Sequence, residues 1–137
     1  MQPHHEALIA QGWQAITDEG FIGLVGPFFQ RQIDGDLHFI FPTDPRHHNL
    51  RGVLQGGALM TFADRSLGIT ARFHTKAART ATVQLDVQFV DATQIGETVA
   101  HTPRLVRATR SLVFLRTDLM VGDRVVGIAQ GVWKILA

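Results

Sequence analysis

The sequence predicts an α+β chain in which a largely antiparallel sheet surrounds one long helix. Three observations predict it. Leu54 to Phe73 places Ala58, Leu59, Met60, Phe62, Ala63, Leu67, Ile69, Ala71 and Phe73 around most of a helical circumference, the pattern of a buried helix. Beyond it, Val83, Leu85, Val87 and Phe89 alternate with Gln84, Asp86 and Gln88, a period of two that marks a strand. Finally, Asp34-Gly35-Asp36 and Gly122-Asp123 stand between apolar runs as tight-turn signals.

Taken in order, Glu6 to Ile16 carries Leu8, Ile9, Trp13 and Ile16 at helical spacing and predicts an amphipathic helix ending before Gly20, so residues 1–20 form an N-terminal helical segment. The short apolar run Phe21 to Val25 reads as a strand. Phe28 to Ile33 and Leu37 to Phe41 read as a hairpin about Asp34-Gly35-Asp36. Pro42 to Asn49 is a loop, since Pro42 and Pro45 end the strand. The long helix follows, then the alternating strand, then strands over Glu97 to Val106, Ser111 to Val121 and Arg124 to Leu136. With 137 residues and no repeat or linker, the chain reads as one domain.

Composition narrows the function. The apolar share is 45% and the charged share 18%, a globular balance that argues against disorder. A formal net charge of +1, with no basic stripe, argues against a nucleic-acid partner. The absence of cysteine excludes disulfides, thiolate metal sites and a cysteine nucleophile. Neither a secretory leader nor a membrane span is apparent, and the expectation is a cytoplasmic protein with no membrane partner.

The run His48 to Asp64, HNLRGVLQGGALMTFAD, carries the chemistry. Gly56-Gly57 opens the long helix, where the first amides lack internal partners and the positive end of the dipole lies behind them. Glycine lets a ligand approach that backbone, a setting suited to the oxyanion that develops when a thioester carbonyl is attacked; an ordinary flexible turn is the alternative. Asp64 sits within the apolar helix, and its neighbours three and four residues away, Met60, Thr61, Leu67 and Gly68, include no cation. It must pair with an arginine from a strand, face a cleft, or act on a substrate. Gly56 and Asp64 are eight residues apart, about 12 Å along a helix. One carbonyl cannot touch both within a subunit, so joint action requires a two-fold dimer with the site across its interface.

These residues resemble the hotdog-fold thioesterases of the phenylacetic-acid-degradation (PaaI-like) family: His48 and Asn49, Gly52, Gln55-Gly56-Gly57 and Asp64, followed by the strand TVQLDVQFVDATQIGE from Thr82 to Glu97. The likeness spans about Phe21 to Trp133. It implies a curved antiparallel sheet wrapped around one helix, in a homodimer paired further into a homotetramer. It implies hydrolysis of an acyl- or aryl-CoA to free acid and CoA, with no cofactor other than the CoA of the substrate. The Gly56 N–H would polarise the thioester carbonyl, Asn49 would place water or substrate, and Asp64 of the other subunit would serve as nucleophile or general base. Thr82 stands where the family has a Ser or Thr that assists the water, although regular alternation would put it on the polar side of its strand with Gln84 and Asp86. The family's histidine is Gln55 here, which can donate a hydrogen bond but cannot shuttle a proton near neutral pH.

His48 and Gly57 join the expected substrate contacts. Arg107 and Arg110, near Arg104 and Thr109, are candidate partners of the CoA phosphates, against the alternative of solvated charges on a hairpin rim. The seven histidines show no metal-ligand spacing, and no metal is expected. Three other readings stand beside hydrolysis: a non-catalytic acyl-CoA or aromatic-acid binding protein, a hotdog dehydratase or hydratase, against which Gln55 counts, and a purely structural oligomer. Aromatic, medium-chain and dicarboxylic acyl groups all remain open.

Overall fold

A long helix with one apolar stripe needs a concave apolar surface to bury it, and eight antiparallel strands supply one. The computed structural model describes residues 2–137; Met1, the first residue of the N-terminal segment, lies outside the described residues. The elements are α1 (Pro3–Ala10), β1 (Gln14–Ile16), α2 (Phe21–Val25), β2 (Phe28–Ile33), β3 (Asp36–Pro42), a 3-10 turn (Pro45–His47), α3 (Gly56–Thr75), β4 (Thr80–Phe89), β5 (Thr98–His101), β6 (Arg104–Ala108), β7 (Leu112–Val121) and β8 (Arg124–Ile135). The sheet runs β1-β2-β3-β5-β7-β8-β4, with β6 paired to β7 beside this path. The α+β architecture, a curved antiparallel sheet around a central helix, is the one the sequence predicts.

The two hairpins form as predicted. Asp34 and Gly35 take φ of 52° and 85°, the left-handed pair that matches strand twist, and Ile33 faces Asp36 across the turn. Gly122 has φ of 58° between the paired Val121 and Arg124. The helix α3 buries one stripe: Ala58, Leu59, Phe62, Ala63, Ser66, Leu67, Thr70 and Ala71. Phe62 meets Phe28 and Phe41 with ring centroids 5.1 and 5.5 Å apart. The opposite stripe, including Met60, Asp64 and Phe73, is half-buried or exposed, so the helix is not apolar-buried all round as its composition suggests. It also begins at Gly56 rather than Leu54, because Leu54 bridges to His48 and Gln55 is the extended N-cap.

Three further expectations are corrected. The first helix starts at Pro3, a residue suited to the first helical turn, and stops at Ala10, before Gly12 at φ of 100°; Gln14–Ile16 then pairs with β2. Phe21 to Val25 is helical, not a strand. A five-residue apolar run has no decisive period, and the Asp18 carboxylate accepts the Gly20 and Gly23 N–H groups at 2.8 and 3.3 Å, turning the chain there. Glu97 to Val106 is two strands broken at Thr102-Pro103: β5 pairs with β3 and β7, and β6 continues along β7 in the same register. Proline cannot donate to a ladder, which is why the pairing with β7 is interrupted there.

Candidate active site

The loop that delivers α3 is tied down at both ends. Asp44 and His47 form a reciprocal cap: the Asp44 N–H donates to His47 Nδ1 at 3.0 Å, and the Arg46 N–H donates to Asp44 Oδ1 at 2.9 Å. With Nδ1 accepting, His47 Nε2–H donates to the Val25 carbonyl at 2.6 Å. The His47 carbonyl in turn accepts the Gln55 N–H at 2.8 Å, just before the helix begins. Burial works against the Asp44 charge, but the Arg46 side chain and backbone N–H outweigh it and hold its carboxyl below the usual value. Arg46 also donates to the carbonyls of Leu24 and Gly26, fastening α2 to this loop.

Within the loop, Asn49 organises the turn. Its Oδ1 accepts the N–H groups of Arg51 (2.9 Å) and Val53 (3.2 Å), while its own N–H donates to the Val53 carbonyl at 2.7 Å. Gly52, at φ of 82°, lets the chain reverse. With Oδ1 occupied, the Asn49 amide offers its NH2 outward.

Gly56 and Gly57 are the first helical residues, and among the described residues no acceptor meets either N–H. Gln55 supplies no side-chain cap, so these donors and the helix dipole remain available to an anionic oxygen. Gly56 lies under Phe89: a Cβ there would sit 3.2 Å from the ring. Gly56 and Asn49 line a cavity of about 470 Å³, while Gln55, Gly57, His48 and Asn49 line a second of about 730 Å³. Asn49, Gln55, Gly56, Gly57 and His48 are therefore brought together at the start of α3.

Asp64 is half-buried two turns along and accepts a hydrogen bond from Thr82 Oγ1 at 2.7 Å. No salt bridge to Asp64 is present among the described residues. The pair lines a third cavity of about 420 Å³ with Phe21, Met60 and Leu85. Thr82 reaches the helix because the β4–β8 register slips at Val83: Gln84 faces Val132, and Thr82 faces Trp133. This β-bulge flips the side-chain parity, so Thr82, although exposed like Gln84 and Asp86, faces α3 and reaches Asp64. Simple alternation over Thr82 to Phe89 placed it on the wrong side.

Arg107 and Arg110 lie elsewhere. Arg107 is exposed on β6 opposite Phe114, Arg110 is exposed in the turn before β7, and neither lines the cavities at Gly56 or Asp64. A Ser-His-Thr chain is also present, with His101 Nε2 2.7 Å from Ser66 Oγ and Nδ1 2.8 Å from Thr117 Oγ1. All three are buried and His101, desolvated, has its pKa pushed down to about 3, so no substrate meets this cluster and it is core structure. His48 is exposed, and the histidine that holds the loop is His47; its signal in the sequence is the capping spacing Asp44-Pro45-Arg46-His47. Among the described residues, no group of three or more His, Asp or Glu could hold a metal ion, and no helix is long and apolar enough to cross a membrane.

The model of the family described as "Thioesterase superfamily" matches residues 51–128 of this chain, more than half of it and including Gly56, Asp64 and Thr82. A Pseudomonas aeruginosa protein named "Putative esterase" is 28% identical over 130 residues, covering 93% of this chain and 97% of its own. Among solved structures, a single-residue mutant of the phenylacetic acid degradation protein PaaI from Thermus thermophilus superposes with a TM-score of 0.70 at 16% identity, covering 98% of this chain and 100% of that one. A Streptococcus mutans protein solved with acetyl CoA bound superposes with a TM-score of 0.74 at 16% identity, covering 87% and 94%. At such identities these two likenesses show the shared fold.

Proposed function

Because the chain belongs to the thioesterase superfamily it is a thioester hydrolase, and we propose that it cleaves acyl-CoA at a site shared between two copies of the chain. The observation that carries this reading is the division of α3 into two half-sites, free Gly56 and Gly57 N–H groups at its start and the Asp64–Thr82 pair further along. Eight residues separate Gly56 from Asp64, about 12 Å at the helical rise. Both half-sites can reach one thioester only if α3 of a second copy lies antiparallel to the first.

The sheet offers a place for that second copy. β4 ends the strand order, so one of its edges is unpaired, and Val83, Phe89 and Val90 beside it are exposed. A ten-residue strand with an unpaired edge is a surface that pairs with another chain. Such pairing places Asp64 of the partner subunit near Gly56, and two dimers can associate further into a tetramer.

In the reaction, the Gly56 N–H takes the carbonyl oxygen and stabilises its charge as the carbon becomes tetrahedral. The Asn49 NH2 and the Gln55 amide hold the thioester or the water. Asp64 either removes a proton from water and passes it to the departing sulfur, or attacks the carbon to give a mixed anhydride that water opens, in which case CoA leaves as the thiolate and takes its proton from solvent. Thr82 holds the carboxylate in position. Gln55 in place of histidine removes a proton shuttle, leaving proton transfer to Asp64. The acetyl CoA bound to the Streptococcus mutans neighbour supports a CoA thioester as substrate. A cytoplasmic setting, where such thioesters are made and used, is part of the proposal.

The test is thiol release from a panel of acyl- and aryl-CoAs, with Asp64→Ala alongside. Cleavage by the wild-type protein and its loss in a folded Asp64→Ala support the reading. A folded Asp64→Ala with full activity, or no cleavage of any member, would overturn it. Single turnover in heavy-oxygen water that leaves label in the Asp64 carboxylate would establish the anhydride opened at the Asp64 carbon, since general-base hydrolysis puts the label only in the product acid.

A further inference from the structure

The open stripe of α3 continues past Asp64 into groups that hydrolysis itself does not use. Asp64, Thr82, Gly68, Arg72, Arg79 and Trp133 line a cavity of about 310 Å³, with Arg65 at its side. Trp133 is 1% exposed, and its indole Nε1–H has no acceptor among the described residues; the equally shielded Nε of Arg65 has none either. Donors buried without partners are costly, and two beside one cavity point to a ligand that brings acceptors. Gly68 lies directly against the indole: a Cβ at that position would sit in contact with it, 3.6 Å from the Trp133 Nε1. The charge balance is one-sided, with three guanidinium groups against the single carboxylate of Asp64. Neither Arg65 nor Arg72 has a carboxylate partner among the described residues, whereas Arg79 is held by the Ala137 carbonyl.

We propose that this cavity is an acyl subsite selecting acyl groups that end in a carboxylate, with the thioester carbon beside Asp64 and Thr82 and the far carboxylate among Arg65, Arg72 and the Trp133 N–H. The inference rests on the reading of Asp64 as the hydrolytic group. Arg72 lies eight residues beyond Asp64 on the same face, about 12 Å along the helix, so a short straight chain spans the two. A methyl-ended chain would leave both buried donors unmade, and a site built to hydrogen-bond its ligand rejects the analogue lacking the group. The anionic oxygens of CoA are a second source of the same chemistry. However, the whole pantetheine arm separates the phosphates from the sulfur, which places them outside a cavity that begins at the reacting carbon.

The experiment compares kcat/KM for adipoyl-CoA against hexanoyl-CoA and suberoyl-CoA against octanoyl-CoA. It uses the wild-type protein and Trp133→Phe, Gly68→Ala, Arg65→Met and Arg72→Met. The wild-type protein is expected to favour the carboxylate-ended member by about tenfold or more, and each variant to lower that ratio by about tenfold, one charge-assisted hydrogen bond's worth. Gly68→Ala covers the indole N–H without emptying the core, so the donor is tested even if Trp133→Phe fails to fold. The same pairs as N-acetylcysteamine thioesters, which carry no phosphate, should keep the preference. Preference for the methyl-ended chains, a ratio unmoved in all folded variants, or a preference that vanishes without phosphates would each overturn the inference. Cleavage of no pair at all would instead overturn the hydrolytic reading of Asp64, and this inference with it.

Discussion

Replacing Gly56 by proline removes one backbone N–H and leaves almost everything else in place, which makes it the most direct probe of the proposed oxyanion site. Gly56 is the first residue of α3, where proline is tolerated because the N–H has no intrahelical partner. Gln55 already has φ of −64° and ψ of 132°, the extended conformation that a residue before proline prefers. The new Cβ would meet the Phe89 ring at 3.2 Å, but Phe89 is 57% exposed and can turn aside. Stability should therefore change by less than about 1 kcal/mol, a melting shift of a few degrees. Loss of an oxyanion donor costs about 10²–10³ in kcat. Gly56→Ala is the control, since it adds the same Cβ and keeps the N–H. Thiol release from an acyl-CoA, with a thermal melt beside it, reads both. A folded Gly56→Pro with near wild-type kcat, or a Gly56→Ala loss as deep as that of proline, would refute the reasoning. The same variant tests sharing between subunits. In an equal mixture with Asp64→Ala, half the dimers are mixed, and each mixed dimer rebuilds one of its two sites. Complete exchange should thus restore about a quarter of wild-type activity if the site is shared, and none if each chain works alone.

Three other outcomes follow from particular contacts. Thr82→Val removes the hydroxyl that donates to Asp64 at 2.7 Å, and kcat should fall about ten- to a hundredfold with KM little changed, while Thr82→Ser stays near wild type; equal activity of Val and Ser would deny Thr82 a positioning role. Desolvation holds His101 at about 3 in the fold against 6.5 for the free side chain, so the unfolded chain takes up a proton first. The protein should lose stability as pH falls from 6.5 towards 3, with a slope of up to about 1.4 kcal/mol per pH unit. Denaturation of His101→Gln across that window should show a flatter slope, and an unchanged one would count against the assignment. Glu97 is held below its ordinary 4.5 by the Gln94 N–H and then by Arg124, so its contribution is present above 4.5 and lost as pH falls further; melting of Glu97→Gln should be less sensitive to acid there.

What could be read from the sequence follows the range of the forces involved. The β2–β3 hairpin and the β7–β8 turn are local devices, each written in a few adjacent residues such as Asp34-Gly35, and they form where predicted, whereas α3 waits two residues past Leu54 for the Gly56-Gly57 pair. The N-terminal segment resisted because its apolar residues satisfy a helical period while Gly12 bends the chain and β2 recruits Gln14–Ile16. Phe21–Val25 resisted because five apolar residues carry no period, and the fold there is decided by the Asp18 carboxylate and by Arg46, twenty-one residues beyond Val25.

The candidate site can be read from the sequence in its residue types and not in its geometry. Gly56 and Asp64 could be placed on one helix by counting, which is enough to derive two half-sites. Thr82 could not, because its direction depends on a slip of one residue between β4 and β8 that alternation does not reveal. The same slip sets Thr82 across from Trp133, at the wall of the arginine-lined cavity. One extra residue, Val83, thus fixes two things at once: the hydroxyl that steadies Asp64 and the alignment of its strand with the indole behind it. Had the ladder continued without the bulge, Val83 would face Trp133 and Asp64 would lose its hydrogen-bond donor. The β-bulge therefore belongs to the proposed site rather than to the tolerance of the sheet, as expected where a strand must re-aim one side chain without moving its neighbours.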